Sequence, residues 1–79
     1  MRDNKSTRTI ERLVGLMEKG RVYSPRELHD IACRELSRNY QPVNTTSTAR
    51  RLAMAARYGL VRRLDTYEFR GPVHYEVIA

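Results

Sequence analysis

The chain has 79 residues, 30% of them charged, and a formal net charge of +6. That length makes one small domain spanning 1–79, which on folding buries only about 60% of its unfolded surface, and it excludes two. Apolar residues at 41% are too many for a disordered chain, no apolar run approaches the roughly 18 residues that span a bilayer, and the first residues lead into no signal-peptide core. A soluble cytoplasmic protein without a membrane partner is therefore expected.

Residues 1–5 are polar and carry no apolar period, so they are expected to be disordered. From Ser6 or Thr7 the positions Ile10, Leu13, Val14 and Met17 follow helical spacing up to Gly20, with Gly15 as a weak point inside the helix. Arg21-Val22-Tyr23 allows only a single bridging strand. Ser24-Pro25-Arg26-Glu27 then signals a second helix, with Ser24 as N-cap, Pro25 at the first helical position and Glu27 three residues on.

Helix 2 continues through Leu28, Ile31, Ala32, Glu35 and Leu36 on a narrow apolar stripe, leaving Arg26, His29, Arg34 and Arg38 on the other side. Cys33, the single cysteine, reads as a small core residue of this helix. It excludes an internal disulfide and fits a reducing compartment. In the connection 37–43, Pro42 pushes Gln41 out of the helical region and Val43 is expected to plug into the core.

Asn44 or Thr45 caps a third helix that runs to about Tyr58, where Gly59 supplies a left-handed C-terminal position. Its buried side should be Thr48, Leu52, Ala55 and Ala56; the other presents Thr46, Ser47, Arg50, Arg51, Met54 and Arg57. Beyond Gly59 the period changes to that of strands. Leu60, Val61 and Leu64 begin one, and Val73, Tyr75 and Val77 share one face of another, with a loop at 65–72 between them. Such a hairpin must pack on the helices to be stable.

Charge is not spread evenly over these elements. Between Glu35 and Asp65 there is no acid, while Arg38, Arg50, Arg51, Arg57, Arg62 and Arg63 fall inside that window. Without those six, the fifteen basic residues drop to nine, level with the nine acids. A cationic surface centred on one helix and the strand it feeds is the footprint of a polyanion partner. Arginine outnumbers lysine thirteen to two, and its planar fork matches phosphate and guanine edges in a bidentate way, although base composition of the gene explains the ratio equally well.

The order helix, short strand, helix, helix, strand, loop, strand resembles the winged helix-turn-helix family of DNA-binding domains. The resemblance covers about residues 7–79 and rests on the Ser24-Pro25-x-Glu27-Leu28 opening, the Thr-rich entry and Arg-Arg-Leu of helix 3, and Gly59-Leu60-Val61-Arg62-Arg63 entering the wing. It implies an α+β fold of three helices plus a C-terminal two-stranded β-hairpin wing, with helix 3 in the major groove and the 65–72 loop on the backbone or in the minor groove.

The residues agree on the main point. Asn44, Thr45, Thr46 and Ser47 stand at a helix N-terminus, where short polar groups, unpaired amides and the dipole suit a phosphate, although N-capping explains any one of them equally well. Arg50 and Arg51 have no acid within four residues to pair with and are long enough to reach bases. Arg57 is placed to touch phosphate, as is one of Arg62 and Arg63, with Arg63 favoured here; Arg70 beside Gly71 suits phosphate or the minor groove. If about four to six arginines meet phosphates, log K should fall with log salt at a slope of about −4 to −5.

His29 and His74 stand apart and read as lone surface residues, so neither a metal nor any other cofactor is expected. No catalytic constellation or small-molecule site is legible, and an enzyme is not expected. The first functional reading is a small sequence-specific regulator of transcription, of the size of phage repressors or stand-alone bacterial regulators, with a homodimer on a two-fold site left open. A second, from a different class, is a winged-helix module that binds a protein partner through Tyr67 and Phe69, as a phage-encoded inhibitor or adaptor would. RNA binding ranks lower, because the basic helix offers almost no aromatics for stacking.

Overall fold

The computed structural model describes residues 5–64 and 73–78, with the side chains of residues 5 and 6 left aside. Its elements are α1 (Lys5–Val14), β1 (Val22–Tyr23), α2 (Pro25–Glu35), a 3₁₀ turn (Arg38–Tyr40), α3 (Thr45–Arg57), β2 (Val61–Leu64) and β3 (His74–Val77). The architecture is α+β, three helices against a small antiparallel sheet. That sheet has three strands in the order β1-β3-β2, not two as expected. The short strand after α1, expected as a single bridging strand, pairs Val22 with Glu76 and Tyr23 with Tyr75 and so becomes the third strand of the sheet.

α1 ends at Val14, six residues before the Gly20 stop signal. Beyond it the amides of Leu16 and Met17 reach only three residues back, to Leu13 and Val14 at 3.1 and 3.0 Å, so the chain tightens into 3₁₀-type turns at Gly15. Met17 is still buried with Ile10 and Leu13, because the tightened turn keeps it on the same side. β1 anchors the far end of this segment. Tyr23 is buried, and its hydroxyl accepts a hydrogen bond from the Glu18 amide at 2.8 Å, which satisfies the one polar atom the ring brings inside.

α2 begins as its residues dictate. Ser24 is extended, its Oγ accepts from the Glu27 amide at 3.1 Å, and Pro25 occupies the first turn, where its missing N–H leaves nothing unpaired. At the other end Gln41 folds back: its Nε2 donates to the carbonyls of Cys33 at 3.1 Å and Leu36 at 2.9 Å. A side chain from the following turn thus closes carbonyls that a helix C-terminus leaves open. Pro42 is the buried residue of this connection, and Val43, expected to plug into the core, stands 87% exposed. Only one of two adjacent residues in an extended segment can face inward, and the ring of Pro42 takes that side.

α3 is capped by Asn44, whose Oδ1 accepts from the Ser47 amide at 2.9 Å. Its C-terminus is closed by a Schellman arrangement: Leu60 N donates to Ala55 O at 2.9 Å and Gly59 N to Ala56 O at 3.1 Å, with Gly59 at φ +77°. This turn sends the chain directly from α3 into β2. The core gathers Ile10, Leu13, Met17, Tyr23, Leu28, Ala32, Leu52, Ala55, Val61 and Tyr75, contributed by every helix and every strand. Among the described residues no helix is long and apolar enough to cross a membrane.

Candidate functional site

Helical geometry separates the residues of α3 into stripes 100° apart per residue, and burial shows which stripe meets the core. Thr48, Leu52 and Ala55 are buried, with Ala56 flanking them partly buried. Thr46, Arg50, Ala53 and Arg57 are all exposed, at spacings of four, three and four. They form a single solvent stripe along nearly the whole helix, and it contains no acid. Ala53 was not singled out from the sequence, yet it sits midway between the two arginines. A side chain this small lets the helix backbone approach a partner closely, and its methyl suits an apolar contact such as a thymine methyl.

The remaining expected residues divide into three groups. Asn44 and Thr45 are exposed at the helix entrance, and Ser47 is half-buried. The Asn44 Oδ1 is committed to the cap, while its amide nitrogen is a further donor suited to an anion. Arg63 is exposed on β2 opposite Tyr75. Arg62, its neighbour, faces Glu76 in the ladder and is paired to it, Nη2 to Oε1 at 3.0 Å, so one of the two strand arginines is already neutralised within the fold. Arg70, Tyr67 and Phe69 lie outside the described residues.

Arg51 departs from expectation. It is half-buried, and its Nη1 donates to the backbone carbonyl of Tyr40 at 2.9 Å. Burial strips water from the guanidinium and lowers its pKa from the ordinary value. The absence of acids within four residues excluded only a carboxylate partner on the same helix. It did not exclude a carbonyl. Met54, expected on the exposed side, is instead partly buried against the core.

Two further side chains sit differently from their sequence reading. Cys33 is exposed, not a core residue. His29 is partly buried and bridges two groups: Nδ1 lies 3.0 Å from Thr48 Oγ1, and Nε2 lies 3.6 Å from Cys33 Sγ. Thr48 Oγ1 also lies 3.3 Å from the Asn44 carbonyl, to which it donates, so the hydroxyl links α2 to the start of α3. The spacing of four between His29 and Cys33 on one helix face made this contact readable. Among the described residues no group of three or more His, Cys, Asp and Glu is gathered as a metal ion would need.

Electrostatically, Arg38, Arg50, Arg57 and Arg63 are exposed, and none of these four has an ion pair among the described residues, unlike Arg21, which lies 3.6 Å from Glu27, and Arg62, which is paired to Glu76. These guanidinium groups on α3 and on the strand it feeds carry positive charge with no carboxylate beside it and present their N–H donors to solvent. A scan against models of protein families, a search of curated proteins and a search of solved structures each return no match to this chain.

Proposed function

We propose that this chain is a winged helix-turn-helix protein that binds double-stranded DNA sequence-specifically, as a small regulator of transcription. The observation that carries the reading is the exposed, acid-free stripe Thr46, Arg50, Ala53 and Arg57 along α3. A major groove about 12 Å wide admits one α-helix. In it the helix entrance at Asn44–Thr46 meets a phosphate, Arg50 and Arg57 meet phosphates on either side of the groove, and Thr46 and Ala53 lie against the base edges of its floor. Arg63 adds a phosphate contact from β2. The element order, and the passage of α3 straight into the antiparallel sheet, support the winged arrangement.

The test is selection of bound sequences from random duplexes at two salt concentrations, with sizing of the free and bound protein. Arg51 and Arg62 are engaged within the fold, so three or four phosphate contacts remain, and log K should fall with log salt at a slope of about −3 to −4. This is shallower than the sequence suggested. A flat salt response with no enriched sequence rejects the reading. Binding of a protein partner that survives Arg50→Ala and is lost on Tyr67→Ala would put the protein-binding module in its place.

A further inference from the structure

We propose that Arg51 is a positioning residue: it sets how α3 is presented and does not itself touch DNA. The inference rests on the DNA-binding reading above. Arg50 and Arg51 are adjacent in sequence but 100° apart around the helix, and their surroundings differ. Arg50 is exposed. Arg51 is half-buried and reaches back across the connection to the carbonyl of Tyr40.

Tyr40 is the last residue of the 3₁₀ turn, whose closing bond runs from its amide to Ser37 O at 2.9 Å. Three helices converge on this turn. α1 contributes Arg12, whose guanidinium lies 4.5 Å from the centroid of the Tyr40 ring. α2 is tied in through Gln41, which bonds the Cys33 and Leu36 carbonyls. α3 is tied in through Arg51. A planar, always-charged fork on a carbonyl is a directional contact. It therefore fixes the roll of α3 about its own axis, and with it the direction in which Thr46, Arg50, Ala53 and Arg57 face.

Turning Arg51 toward a phosphate would strip the Tyr40 carbonyl of this donor and release the turn. The two arginines thus split their labour: one faces the duplex, the other holds the frame. A geometric misplacement of about one ångström at a recognition helix costs sequence discrimination before it costs electrostatic attraction, because phosphate attraction falls off slowly with distance while base contacts do not.

The test uses the full chain on its selected duplex, with Arg50→Met, Arg51→Met and Arg51→Lys compared at a temperature where circular dichroism shows each to be folded. Arg50→Met should lower the magnitude of the salt slope by about 1, as loss of a phosphate-neutralising contact requires. Arg51→Met should leave the slope within about 0.3 of wild type while cutting the preference for the selected duplex over a scrambled one by roughly 5- to 30-fold, the order of one lost base-pair contact. Arg51→Lys keeps a donor for the carbonyl and should restore much of that preference. A slope change near 1 for Arg51→Met, or no change in either quantity, overturns the assignment.

Two wild-type measurements by guanidinium NMR do not depend on any variant folding. In the free protein the Arg51 Nη protons should exchange at least ~10-fold more slowly than those of Arg50, since only the former are buried and bonded. On adding duplex the Arg50 signals should move and the Arg51 signals should not. Equal exchange, or equal movement, refutes the positioning role. Failure to bind any duplex refutes the DNA reading instead, and leaves slow Arg51 exchange standing as its own observation.

Discussion

Gly59→Ala isolates one contribution to the junction between α3 and β2. Gly59 sits at φ +77°, in the left-handed region, and a Cβ built there meets nothing within 4 Å. Crowding is thus absent, and the cost is conformational alone. Placing an L-residue in this region costs about 1–2 kcal/mol. Against this, alanine restricts the unfolded chain and returns about 0.4–1 kcal/mol. The net loss is about 1 kcal/mol, which for a domain of this size lowers Tm by about 4–8 °C. Urea denaturation followed by circular dichroism should show the midpoint falling with an unchanged m-value. Asparagine tolerates the left-handed region better, so Gly59→Asn should lose less than Gly59→Ala. If Gly59→Ala is as stable as wild type, or if Asn is no better than Ala, the Schellman closure of α3 is not what holds this junction.

Other expectations follow from the same contacts. Leu52→Ala removes a fully buried side chain from the centre of the core and should cost 2–5 kcal/mol by urea titration, roughly what a small domain can spare. Gln41→Ala breaks two bonds to carbonyls at the end of α2; it should cost about 1–2 kcal/mol and speed amide exchange most in the 3₁₀ turn that follows. Glu76→Gln releases Arg62 from an exposed pair, so stability should change by less than about 1 kcal/mol. If Arg62 then joins the cationic face, the same variant should bind duplex more tightly and steepen the salt slope by up to about 1, read by fluorescence anisotropy over a salt series.

Much of this fold is written in local chemistry. Ser24 with Pro25, Asn44 and Gly59 each dictate an element boundary by a mechanism confined to three or four residues, and each boundary is found where those residues put it. The buried side of α3 was legible for the same reason, since a 3.6-residue period and the placement of Thr48, Leu52 and Ala55 leave one solution. What escaped notice depends on contacts between segments. The acceptor for Arg51 is a main-chain carbonyl in the connection, and no side-chain identity marks where a carbonyl will point. The pairing of Arg62 with Glu76 required the strand register. Pro42 and Val43 exchanged roles because one residue of shift in an extended segment reverses which side faces in. Ala53 had no polar group to draw attention to it, and its position on the exposed stripe emerges only once burial is known.

The account depends most on the exposed stripe of α3 being the surface that meets a duplex. The double variant Arg50→Ala, Arg57→Ala tests it directly, because both side chains are exposed and neither is tied to another described residue, so the fold should be left intact. Salt dependence of binding to the selected duplex should show the slope shrinking by about 2 relative to wild type, with the thermal transition unmoved. An unchanged slope and affinity in a variant that melts like the wild type would contradict the account.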